Sequence, residues 1–236
     1  MLVKAFIIGK TFASWGRTAI DGEFFRETVG GLVMFHFLNF LKPKTKMAPE
    51  DLGMMIAQVQ IEKFHLRTSL ALNKSVAEGR SADKNISAVG KSDLDRLWHV
   101  ILILECVVIS VAIEFSRASE FNKRVVLDVF WNCLPELIAE LHSEEKATDY
   151  KNNLSEWYPT LRALVIEPSH AYGPGSLGPG KVLYELAMPN RHIYENTDLV
   201  IKLTCDFASI YVTATKFAVS CIRQTKFTKS MLRYEQ

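Results

Sequence analysis

The run LDRLWHVILILECVVISVAIEF, Leu94 to Phe115, decides the fold. Its apolar heart, Val100 to Ile113, is only 14 residues long and carries Glu105 inside it. A membrane span needs roughly 20 apolar residues with few or no charges. A helix that is apolar nearly all round, yet too short to span, belongs at the centre of a bundle. The expectation is a buried central helix over about 94–117 and no transmembrane segment. Glu105 then has to find an ion pair or hydrogen bond, because burying a lone carboxylate is costly. His99, six residues earlier, is displaced around the helix and is not a same-face partner.

The segments on either side carry helical spacing as well. Residues 22–41 form an apolar stretch ending in the basic linker KPKTK. Pro49 opens the next helix, with Glu50 and Asp51 where negative charge suits the helix dipole. It runs to about Asn73 through Leu52, Met55, Ile56, Val59, Phe64 and Leu66. Residues 74–92 are polar and contain Gly and Ser, which predicts an exposed loop. Ser92 and Asp93 are candidate caps for the central helix. From Asn122 to His142 an apolar stripe recurs, with Pro135 kinking the helix or restarting it from Asn132.

A further helix is expected from Asn153, with Pro159 in an early turn. Asn196, Thr197 and Asp198 begin the last, whose stripe Leu199, Leu203, Phe207, Ile210, Ala214, Phe217 and Cys221 steps by three and four. Only ALVIE, before Pro168, reads as a strand, and nothing nearby alternates to pair with it. The reading is an all-α, multi-helix bundle of six to nine helices, one domain over 1–236.

Composition supports an ordinary soluble globular chain, 48% hydrophobic and 23% charged over 236 residues. The apolar run Ala5 to Gly9 is too short for a secretory signal. Cys106, Cys133, Cys205 and Cys221 form no C-x-x-C pair and sit among apolar residues, which reads as reduced core thiols in a cytoplasmic protein. Net charge is only +2 but uneven. Residues 1–91 carry 13 Lys/Arg against 8 Asp/Glu, residues 92–158 carry 6 against 12, and residues 159–236 carry 9 against 6. Basic ends facing an acidic middle favour contact within one molecule or between neighbours.

GPGSLGPGK, Gly173 to Lys181, is the nearest approach to a catalytic motif. Read from Gly175 it imitates a phosphate-binding loop, but Val182 stands where Ser or Thr would hold magnesium, and Pro179 removes an N–H from the cradle. RVVLD, Arg124 to Asp128, imitates an acidic magnesium-binding strand inside a helical pattern. Two rigid turns before a helix near Lys181 describe the stretch better. The Gly/Pro-rich loop over 167–181 still holds His170, Tyr172 and Lys181, which makes it the place for a small ligand.

Glu62 and His65 have the Glu-x-x-His spacing of a carboxylate-bridged metal bundle. The second helical pair is missing, since Pro168 interrupts Glu167-Pro-Ser-His170, so Glu62 and His65 read as a solvated helix edge. No cofactor, metal or catalytic residue is expected. The favoured function is a non-catalytic helical protein that contacts another protein chain or assembles with itself. The alternatives are single-stranded nucleic acid, held by Lys42, Lys44, Lys46, Arg223, Lys226, Lys229 and Arg233, and a small-ligand or metal-binding enzyme using the 167–181 loop. In the C-terminal set the spacing is helical, with Phe227 and Tyr234 close by.

Overall fold

A computed structural model describes residues 45–66, 90–168 and 178–230. The expectations for 22–41, 67–89 and 169–177 lie outside the described residues, as do Lys42, Lys44, His170, Tyr172 and Arg233. Apart from Thr45, the described residues belong to one compact unit that begins at Lys46.

Six α-helices among the described residues make an all-α bundle. In chain order they are α1 (Pro49–Val59), α2 (Lys91–Glu114), α3 (Glu120–Leu141), α4 (Glu144–Ile166), α5 (Pro179–Ala187) and α6 (Thr197–Gln224). A π-helical turn, Gln60–His65, extends α1, and a 3₁₀ turn, Ile193–Asn196, leads into α6. Two short strands, β1 (Thr45–Met47) and β2 (Thr225–Phe227), pair with each other.

The centre is α2. Every residue from Leu97 to Ile113 is buried, packed against α4, α5, α6, the π turn and, more lightly, α3. Each Leu, Ile or Val so enclosed contributes roughly 1.5–3 kcal/mol relative to exposure. Both α2 and α6 are long and apolar enough to cross a membrane, yet 94% of the α2 window lies inside the protein's own packing.

Several boundaries differ from the expected ones. Lys91 and Ser92 already belong to α2, whose cap is Gly90, and Asp93 serves from the third position by accepting the Gly90 N–H at 3.1 Å. Ser119 caps α3 through the Asn122 N–H, and α3 passes through Pro135 without a break. The fourth helix starts at Glu144 rather than Asn153, because Ser143 accepts the Lys146 N–H. Ala163 to Ile166, the strand-like stretch, is the last turn of that same helix. Asn196 makes no side-chain cap; it donates to the Tyr184 hydroxyl instead.

Glycine settles two close contacts. A side chain at Gly53 would lie 2.6 Å from the Val126 carbonyl oxygen of α3, and one at Gly180 would lie 2.0 Å from the Val200 oxygen of α6. Both helices sit where only a hydrogen fits.

Candidate interaction surfaces

The helical reading of the C-terminal basic stripe ends at Gln224. Beyond it Thr225-Lys226-Phe227 is extended and pairs with Thr45-Lys46-Met47, and the Thr228 N–H donates to the Met47 oxygen at 3.0 Å. Lys226 and Lys229 therefore lie off the helix, and only Arg223 remains in its last turn. Each strand is half-buried, exposed, half-buried, with Lys46 and Lys226 at the exposed centres. The pairing brings together two basic segments that are 180 residues apart in the chain. T-K-M and T-K-F each flank a lysine with β-branched, aromatic or thioether residues, a pattern too short to mark a strand without its partner.

Neighbouring strands lie about 4.8 Å apart, and like charges facing across a ribbon destabilise it. Lys46, Lys226, Lys229 and Arg223 are exposed or nearly so, and none makes an ion pair among the described residues. Glu50 and Asp51 open α1 beside the ribbon, and Glu50 is engaged by the Ser230 hydroxyl.

A second charged region lies at the corner between α3 and α4. Glu136, Glu140, Glu144, Glu145 and Asp149 are all exposed there. A shallow groove runs between Pro135, Glu136, Glu140, Glu144, Ala147 and Lys151. Lys146, the other nearby cation, is turned inward with its ammonium 4.1 Å over the Trp98 ring.

The ribbon and the corner stand at opposite ends of the α1–α3 pair. Gly53 near the start of α1 touches Val126 and Phe130 in the first half of α3. His65, at the end of the π turn, meets Trp98, whose ring also meets His142 just past α3. The two helices therefore run in the same direction. β1 precedes α1, whereas the acidic corner takes in the last turns of α3 and the first turns of α4, so about 20 Å of helix separates them.

Under the π turn lies the buried polar cluster that Glu105 required. Gln60 Nε2 donates to Glu105 Oε2 at 2.7 Å, and His65 Nδ1 lies 3.1 Å from the same oxygen. The expected solvated edge holds for Glu62, which is exposed and accepts from Gln58, but not for His65, which is fully buried. The π turn is the reason. An α-helix overshoots by roughly 40° in each four-residue step, so a row 53-57-61-65 drifts toward solvent. Taking in more residues per turn cancels that drift and swings His65 back onto α2.

Trp98 is ringed by His65, His99 and His142 at centroid distances of 4.4, 4.7 and 5.2 Å. Burial holds His99 below the ordinary histidine range, against the carbonyls of Asp95 and Lys146, which its ring nitrogens approach at 2.8 and 3.2 Å. Burial also lowers His142, and its neighbours His65 and Lys146 act in the same direction. Among the described residues no three His, Cys, Asp or Glu side chains are placed to hold a metal ion.

The cysteines are free, and burial pushes every thiol up, Cys221 to about 12. None is held as a thiolate nucleophile. Of the four thiols expected in the core, Cys106 and Cys221 are buried, Cys133 is half-buried and Cys205 is exposed.

The glycine-rich stretch resolves at its end. Gly178 takes φ 73°, the left-handed turn glycine favours, and Pro179 starts α5. The Gly180 N–H donates to Thr204 Oγ1 at 3.0 Å, so it faces a helix rather than a phosphate. Lys181 lies 3.7 Å from Glu185 on the surface of the same helix.

No protein-family model, no curated protein and no solved structure matches the chain.

Proposed function

We propose that this protein acts by binding, with another protein chain as its partner and no chemistry of its own. The observation that carries the reading is the ribbon end, where Lys46, Arg223, Lys226 and Lys229 converge with no ion-pair partner among the described residues. Clustered cations that repel one another gain from an acidic surface brought to them, which gives specificity and a faster encounter. The exposed side of α6 adds apolar surface, since Ile201 and Val212 are 53% and 45% exposed on a helix whose other side is core.

The second reading, single-stranded nucleic acid, rests on that same convergence, because phosphates would answer the same cations. It lacks an exposed aromatic platform on the ribbon, where Phe227 is half-buried.

Light scattering after size-exclusion chromatography, with absorbance followed at 260 and 280 nm, separates the two. The protein reading expects no excess absorbance at 260 nm in freshly purified material. Co-purifying nucleic acid that high salt strips away would overturn it.

A further inference from the structure

We infer that the partner is a second copy of this chain, joined head to tail, with the β1–β2 ribbon of one molecule on the acidic α3–α4 corner of the next. The inference rests on the protein-partner reading above and adds which chain is bound and through which two surfaces.

Charge complementarity carries it. Four cations at the ribbon end outnumber Glu50 and Asp51 beside them, and five carboxylates at the other end, Glu136, Glu140, Glu144, Glu145 and Asp149, outnumber Lys151; all belong to one compact unit. The ends cannot neutralise each other within a molecule. They stand about 20 Å apart along the α1–α3 pair, and charges are screened over about 8 Å at physiological salt. Every copy therefore carries both halves of a contact that it cannot close on itself.

The corner also offers the ribbon's lysines apolar surface beside its carboxylates. Its groove has Pro135, Ala139 and Ala147 among its lining residues, with Glu136, Glu140 and Glu144 beside them. A lysine lays its methylene stem along such apolar surface while its ammonium meets a carboxylate. Lys46 and Lys226, side by side at the ribbon centre, would each find a counter-charge there, and the repulsion between them would be relieved.

The two surfaces are different patches, so the contact is heterologous. Such contacts repeat from copy to copy into rings or open rows, whereas a self-complementary patch stops at a dimer. Because the pairs are surface charges, assembly should rise with concentration and fall with salt.

The test uses two charge-reversed full-length chains, one with Lys46→Glu and Lys226→Glu, the other with Glu140→Lys and Glu144→Lys. All four positions are exposed, so each variant should keep the wild-type circular dichroism and unfolding midpoint. At low salt the mass of the wild type by light scattering should climb with concentration. Each variant alone should need on the order of tenfold more protein to reach the same mass. An equimolar mixture should recover assembly, because the reversed ribbon of one variant now faces the reversed corner of the other.

Recovery in the mixture establishes the ribbon-to-corner contact. Assembly that is indifferent to both reversals, or abolished by both and not recovered on mixing, overturns that contact while leaving a protein partner in place. A wild type that stays monomeric at every concentration, free of nucleic acid, overturns self-assembly alone. A 260 nm excess that disappears in the Lys46→Glu, Lys226→Glu chain overturns both readings and gives the ribbon to nucleic acid.

Discussion

At the scale of single residues, the polar groups around α2 determine how the core answers to acid and to mutation. His99 is 3% exposed, and burial holds its imidazole below the ordinary value of 6.5. The folded state therefore binds fewer protons than the unfolded chain once pH drops below that value. Stability from this group is complete above pH 6.5 and is lost as pH falls toward the lowered value. His142 shifts in the same direction and adds to the loss. Urea titrations between pH 7 and 5 should show falling stability, with a shallower slope in His99→Gln. An unchanged slope would mean that His99 is not a source of the acid sensitivity.

Glu105 poses a different question, because its value lies in the partners it satisfies. Replacing it with Leu leaves the Gln60 amide without its acceptor and His65 Nδ1 without its partner, both in the core. Each orphaned group costs about 1–3 kcal/mol. Glu105→Gln keeps an oxygen at the same reach and should lose less. Denaturant unfolding that ranks Glu105→Leu level with the wild type would contradict this account.

At the scale of elements, periodicity read most of the bundle directly. It recovered α2, the inward stripe of α6 from Leu203 to Cys221 (Val200, not Leu199, is buried before it) and the Pro49 start of α1, since these follow from apolar spacing and local capping. The π turn was not readable, because a local spacing of apolar residues does not show that a turn has taken in an extra residue. It depends on Glu105, 40 residues from His65. The β ribbon escaped for the same reason, as three-residue strands become strands only through a partner 180 residues away.

The end of the glycine-rich stretch shows that composition alone can mislead. Gly180 looks like part of a phosphate cradle, and its hydrogen instead lets α5 approach α6. Gly180→Ala should push the two helices apart and cost about 1–3 kcal/mol, as overpacking does. Lys181→Ala, on the exposed side, should stay within about 0.5 kcal/mol. Thermal melts of the two variants check the contrast; a silent Gly180→Ala would mean that α5 does not need the close approach.

At the scale of the whole molecule, stability and assembly draw on different forces. The core around α2 is aliphatic and aromatic, and burial of that kind does not depend on screening. The ion pairs visible among the described residues are few and only partly buried, such as Arg162 with Glu114 at 2.8 Å. Partly exposed pairs of this sort contribute about 0–1 kcal/mol each. The charges proposed to matter most, at the ribbon and the acidic corner, lie on the surface, where screening acts fully. Raising sodium chloride from low to high concentration should therefore leave the unfolding midpoint of dilute protein within a few degrees, while the mass of concentrated protein falls to that of a single chain. Calorimetry on dilute samples and light scattering on concentrated ones read the two separately. A midpoint that dropped together with the assembled mass would mean that copies stabilise one another's fold. The contact would then have to reach the core, and a surface pairing of charges would not account for it.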